Sequence, residues 1–153
     1  MKIDERAVIC GLDAADSDEV LRTLAQRLID LNYVKDDYAD AVIEREDDYP
    51  TGLECDPVNA AIPHCTNNYS LVDALGVATL KHPVDFMEMG TSDQKIPVRI
   101  MLMPVVVDPA EQVPMLVRAM KFLDLKDKVQ GLAEAKSSRE IISIIGDTFS
   151  EDE

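Results

Sequence analysis

The sequence predicts an α/β fold: a mixed β-sheet flanked by helices on both faces, as a single layered domain over residues 1–153. Three observations lead there. Apolar residues recur at helical spacing before residue 50 and again after residue 110. Between residues 58 and 107 they instead gather in short runs bounded by proline and polar residues, the pattern of strands. The last run, Ile100 to Val107, is almost wholly apolar, as expected of a central strand covered on both faces. Strands with helices on either side in the chain imply layers, and 153 residues suffice to bury a core without disulfide or metal staples.

Each element follows from local chemistry. Ala7 to Leu12 reads as an initial strand, although residues 1–12 are expected at the periphery of the domain. Ser17 is a candidate N-cap for a helix to about Leu31, with Asp18 and Glu19 favourable in its first turn. Its apolar stripe is Val20, Leu21, Leu24, Leu28 and Leu31. A second helix is expected from Asp37 to about Asp47, burying Tyr38, Ala41, Val42 and Ile43. Tyr49-Pro50-Thr51-Gly52 then breaks the helical pattern.

Val58 to Ile62 is a short extended segment, because Pro63 steers Ile62 away from helix. Leu71–Leu80, Val84–Met87 and Val98–Val107 read as further strands, with an irregularity expected at Pro104. Helices are expected near 112–123 and 137–149, with a short helical turn within Asp124–Gly131. Asp108-Pro109-Ala110-Glu111 resembles a capping box, yet a helix starting there would carry Pro114 beyond its first turn. The helix therefore begins nearer Gln112 or kinks. Ser150–Glu153 is read as a frayed acidic tail.

Composition removes several function classes. Hydrophobic residues make up 46% and charged residues 29%, so the chain is globular rather than disordered. The net charge is −15, which repels phosphate backbones and argues against nucleic-acid binding. No leader is expected at Met1–Arg6, and no apolar run is long enough to span a bilayer, so no direct membrane insertion is expected. Cys10, Cys55 and Cys65 form no CxxC and are odd in number, which suits reduced thiols in a cytoplasm.

Chemistry concentrates around His64. The only histidines are His64 and His82. His64 follows Ala60-Ala61-Ile62-Pro63, so a short strand ending in proline carries the imidazole to a strand terminus. A neutral imidazole is nucleophilic at its unprotonated nitrogen and can attack a phosphoryl donor, then serve as leaving group. Such a transfer needs cationic or hydrogen-bonding groups around the equatorial oxygens. Arg45 is the candidate cation, and Thr51, Thr66 and the amides after His64 are candidate donors. His82, in Lys81-His82-Pro83, reads as an exposed loop residue. No metal or other cofactor is expected: Cys55, His64 and Cys65 lack zinc spacing, and the runs Asp36-Asp37 and Glu44–Asp48 lack a calcium-loop pattern. The methionines read as core filler or partner surface.

Glu44-Arg45-Glu46, Tyr49-Pro50-Thr51-Gly52-Leu53 and Ala60-Ala61-Ile62-Pro63-His64-Cys65 together resemble the active-site segment of the mannitol/fructose-type IIA family of bacterial phosphotransferase systems. The galactitol-specific branch is the nearest in pattern, and the resemblance spans roughly residues 15–150. It implies a mixed sheet with helices on both sides, a phosphoryl group on Nε2 of His64, and Arg45 beside it. It implies as donor the histidine-containing phosphocarrier protein and as acceptor a cysteine of the cognate IIB component, with the IIC membrane transporter an indirect partner. Many members of that family carry a second histidine after the central strand, where this chain has Gln112. A glutamine amide can contact a phosphate oxygen or orient His64, but it carries no charge. A regulatory IIA-like protein signalling through His64 phosphorylation, and a binding module whose His64 is never phosphorylated, remain alternatives.

Overall fold

The computed structural model describes residues 1, 3–91 and 93–149. The acidic tail expected to fray over 150–153 lies outside the described residues. The described residues form a five-stranded sheet in the order β1-β4-β5-β3-β2, comprising β1 (Val8–Leu12), β2 (Gly52–Leu53), β3 (Asn59–Ala61), β4 (Ala74–Met87) and β5 (Lys95–Val105). β4 and β5 pair antiparallel, β1 and β3 flank them in parallel, and β2 adds antiparallel at the edge. The sheet is therefore mixed, and β5 is its middle strand.

Helices α1 (Ser17–Asp30) and α2 (Tyr38–Asp48) cover one face; α3 (Gln112–Leu123), α4 (Lys126–Glu134) and α5 (Ser138–Phe149) cover the other. Alternation along the strands divides the core accordingly. Ala61, Met101 and Met103 join Leu24, Leu28, Tyr38 and Val42, whereas Ala60, Ile100 and Leu102 join Phe122, Leu132, Ile145 and Phe149.

Local chemistry sets the ends of α1. The N-cap is Asp16 rather than Ser17: its side chain accepts from the Glu19 N–H at 2.9 Å, while Glu19 accepts from the Ala15 N–H at 2.9 Å. At the other end Asn32 takes φ 61°, with the Asn32 N–H donating to Ile29 and the Tyr33 N–H to Leu28. That is a Schellman stop, with asparagine tolerating the left-handed position.

Several sequence expectations are corrected. The initial strand expected from Ala7 is present at the sheet edge, although Ala7 and Val8 are buried. The segments read as two strands, Leu71–Leu80 and Val84–Met87, join as the single strand β4. Its register shifts between Thr79 and Val84, so Lys81, His82 and Pro83 sit exposed on a bulge. β1 pairs only as far as Leu80, so Pro83 falls on an unpaired outer edge, where its missing N–H breaks no ladder bond. No register shift occurs at Pro104, which sits opposite Leu75 and past the last β3 pair at Met101. α4 is a nine-residue helix, longer than the turn expected there. On α2 the buried positions are Tyr38, Ala39, Val42 and Glu46, so Ala39 takes the place expected for Ala41.

Candidate functional site

β3 is short and ends where it is needed. Ala60 and Ala61 are fully buried and pair with Ile100 and Met101 of β5. Ile62 and Pro63 remain buried, and His64 then emerges at the surface, half-buried. Pro63 has no N–H to continue a ladder, so the chain leaves the sheet at this point.

The imidazole is held by the backbone two residues earlier: His64 Nδ1 lies 2.8 Å from the Ile62 carbonyl oxygen. A carbonyl only accepts, so Nδ1 carries the proton and Nε2 holds the lone pair. Burial pushes the His64 pKa below its ordinary value, and the Arg45 charge pushes the same way, outweighing the Ile62 bond. The ring is thus neutral and nucleophilic at neutral pH.

Arg45 stands in the last turn of α2, a favourable place for a cation. Its guanidinium carbon lies 5.0 Å from the centroid of the Tyr49 ring, and its Nε is buried without a hydrogen-bond partner. A buried, unmatched donor on a cation is poised for an anion. Gln112 is the first residue of α3, and its amide donates to the Cys65 carbonyl at 3.3 Å. The Pro114 difficulty is thereby resolved. A 3-10 turn over Pro109–Glu111, capped by Asp108, precedes α3, so Pro114 falls in the first turn of the α-helix, where its N–H would have had no partner.

Arg45, His64, Cys65, Thr66 and Gln112 line one open depression of about 300 Å³. On its other side His64 borders a second depression of about 330 Å³ with Tyr49, Pro50 and Met89. Of the residues singled out from the sequence, His64, Arg45, Gln112 and Thr66 therefore meet around one hollow. Thr51 does not join them as a donor. It lines the second depression instead, is buried, and its hydroxyl donates to Glu46 Oε1 at 2.8 Å, so that proton is already committed. Burial also raises the Cys65 thiol, which stays protonated beside the imidazole at neutral pH. A depression of about 570 Å³ excludes His64; Asp16, Glu46, Asp47, Asp48 and Asp85 line it against the single cation Lys95, an acidic wall that disfavours phosphate.

Glu46 belongs to the quoted Glu44-Arg45-Glu46 pattern, but its bond to Thr51 is not read from the sequence. Glu46 is 8% exposed, its carboxylate accepts from the Thr51 N–H and hydroxyl at 2.8 Å each, and burial pushes its pKa up to about 7. The signal was present in Glu-x4-Thr spacing across a Pro-containing break, but only the fold shows that the two side chains meet.

A neutral histidine at a strand end stands beside an arginine on a helix-covered mixed sheet, and that fold matches solved structures. One is a complex of enzyme IIAMTL and phosphorylated enzyme IIBMTL from Escherichia coli: TM-score 0.79, 21% identity, covering 95% of this chain and 98% of that one. The galactitol-specific EIIA component of the phosphotransferase system of Escherichia coli (strain K12) is 26% identical over 106 residues, 69% of this chain and 70% of the relative. A mannitol-specific EIICBA component from Pasteurella multocida (strain Pm70) is 25% identical over 146 residues, 94% of this chain and 22% of that longer one. The family model for the phosphoenolpyruvate-dependent sugar phosphotransferase system, EIIA 2, matches residues 1–147, and the chain belongs to that family. It is accordingly a phosphotransferase component.

Proposed function

We propose that this chain is the sugar-specific IIA component serving galactitol or a related sugar, charged on His64. The histidine-containing phosphocarrier protein is the donor, and a cysteine of the cognate IIB component is the acceptor. The IIC transporter is reached only indirectly, from the cytoplasm; among the described residues no helix is long and apolar enough to cross a membrane. One observation carries the reading: the Ile62 carbonyl ties up Nδ1, which leaves Nε2 as the nucleophile in a hollow that also holds Arg45.

The chemistry is symmetric. The Nε2 lone pair attacks phosphorus on the donor's phosphohistidine; a new N–P bond forms as the old one breaks and its electrons return to the donor ring. In the second step the IIB thiolate attacks, and the Nε2–P bond breaks with its electrons restored to Nε2. Both approaches must be in line, so an open hollow suits the task better than a deep pocket. Arg45 neutralises the equatorial oxygens, while the Gln112 amide and the Thr66 hydroxyl add neutral donors. Val113, which lines the hollow, and Val117, one turn further along α3, are exposed and offer an apolar surface for the partner.

The test is a two-stage transfer. The chain is charged with phosphoenolpyruvate and the general phosphotransferase enzymes, then mixed separately with galactitol-type and mannitol-type IIB components. The proposal expects rapid loss of label to the galactitol-type acceptor. Equal or preferential discharge to the mannitol-type acceptor overturns the sugar assignment, and no discharge to either overturns the carrier role.

A further inference from the structure

Glu46 and Thr51 have no part in the chemistry above, yet a continuous line of hydrogen bonds leads from them to the nucleophile. The Glu46 carboxylate accepts from the Thr51 N–H and from Thr51 Oγ1–H, each at 2.8 Å. Because that hydroxyl proton points at Glu46, Oγ1 presents a lone pair to the Ile62 N–H, 3.1 Å away. The Ile62 carbonyl then accepts from His64 Nδ1 at 2.8 Å.

The sheet shows why a side chain is used. β2 and β3 pair Leu53 with Ala60 and Gly52 with Ala61, so the next pair in register would be Thr51 with Ile62. The Thr51 N–H is already committed to Glu46, and Pro63 ends the strand. The Thr51 hydroxyl takes over where the ladder stops, and it is backed by a buried acceptor that accepts both of Thr51's donors. Breaking one link would leave a buried polar group unmatched.

We propose that Glu46 and Thr51 are positioning residues for phosphoryl transfer: they lock Ile62 so that its carbonyl holds the Nδ1 proton and reserves Nε2 as the only nucleophilic nitrogen. The inference rests on His64 being the acceptor, and the tautomer half of it can be read on the unphosphorylated protein.

The experiment is nitrogen NMR of ring-labelled His64 in the parent, Thr51→Ser, Thr51→Val and Glu46→Gln, together with the rate of charging. The parent and the serine variant are expected to show a single tautomer protonated at Nδ1 and charging rates within a few-fold of each other. Thr51→Val removes the hydroxyl at nearly constant shape. It is expected to mix the two tautomers and to slow charging on the order of tenfold to a hundredfold, as misplacement of a reacting atom does. A folded valine variant that keeps the parent's tautomer and rate overturns the proposal. If that variant does not fold, Glu46→Gln decides by the same two readouts, since its amide puts a donor NH₂ where one of the two accepting carboxylate oxygens stood. If the parent's His64 takes no phosphate, the proposed function fails, while the tautomer comparison still answers for the lock.

Discussion

Arg45 and Gln112 set different kinds of contact around the same ring. Arg45 brings a full charge with an unmatched buried Nε, whereas Gln112 brings only an amide already resting on the Cys65 carbonyl. Arg45→Ala should slow charging by on the order of a hundredfold with little loss of stability. Arg45→Lys should recover only part of that, for want of the planar fork. Gln112→Ala should slow transfer moderately and Gln112→Glu more, by repelling the phosphate; initial charging rates check both residues. Glu46 adds a stability signature. Its pKa rises on folding from 4.5 to about 7, so the folded state keeps a proton that the unfolded chain releases. Its contribution to stability is complete below about pH 4.5 and is lost as pH rises to about 7, at up to about 1.4 kcal/mol per unit. Denaturant unfolding across that window should show the decline in the parent relative to a flatter Glu46→Gln. Arg45 and His64 were legible in the sequence because their types and spacing match a family pattern, and Gln112 because it stands where many members carry a second histidine. The part played by Glu46 was not, since it depends on a bond between α2 and a turn that only the folded chain closes.

At the scale of elements, the Pro50-Thr51-Gly52 segment does more than break a helix. Gly52 begins β2, pairs with Ala61, and its carbonyl accepts from the Met89 N–H at 2.8 Å. A Cβ on Gly52 would come 2.7 Å from the Met87 carbonyl oxygen, a backbone atom that cannot swing aside. Gly52→Ala should therefore cost about 1–3 kcal/mol, as overpacking does, and should slow charging through displacement of the β3 end. Thermal unfolding and the charging rate report the two effects separately. The long apolar run of β5 and the helical stripe of α1 declared themselves because burial on two faces or one imposes a period on the sequence. The bulge in β4 did not: Lys81-His82-Pro83 looks like a loop locally, and only the absence of β1 beyond Leu80 lets the strand run on through it.

For the whole molecule, the sheet acts as a rigid mount. The β3 end, the last turn of α2 and the first turn of α3 arrive at one rim from separate parts of the chain, and the two core layers hold them in place. The net charge of −15 surrounds a hollow whose named cation is Arg45, so the field draws basic partner surfaces while the phosphate contact stays local. The layered fold was readable from periodicity alone. The strand order was not, because parallel and antiparallel neighbours leave the same local pattern. The central claim is that His64, rather than His82, carries the phosphoryl group. Its most direct test is incorporation of acid-labile phosphate from phosphoenolpyruvate through the general enzymes, located by mass measurement in the parent, His64→Ala and His82→Ala. One phosphoryl group on His64 in the parent, none in His64→Ala and near-parental labelling of His82→Ala is the predicted result; labelling that persists in His64→Ala would contradict it.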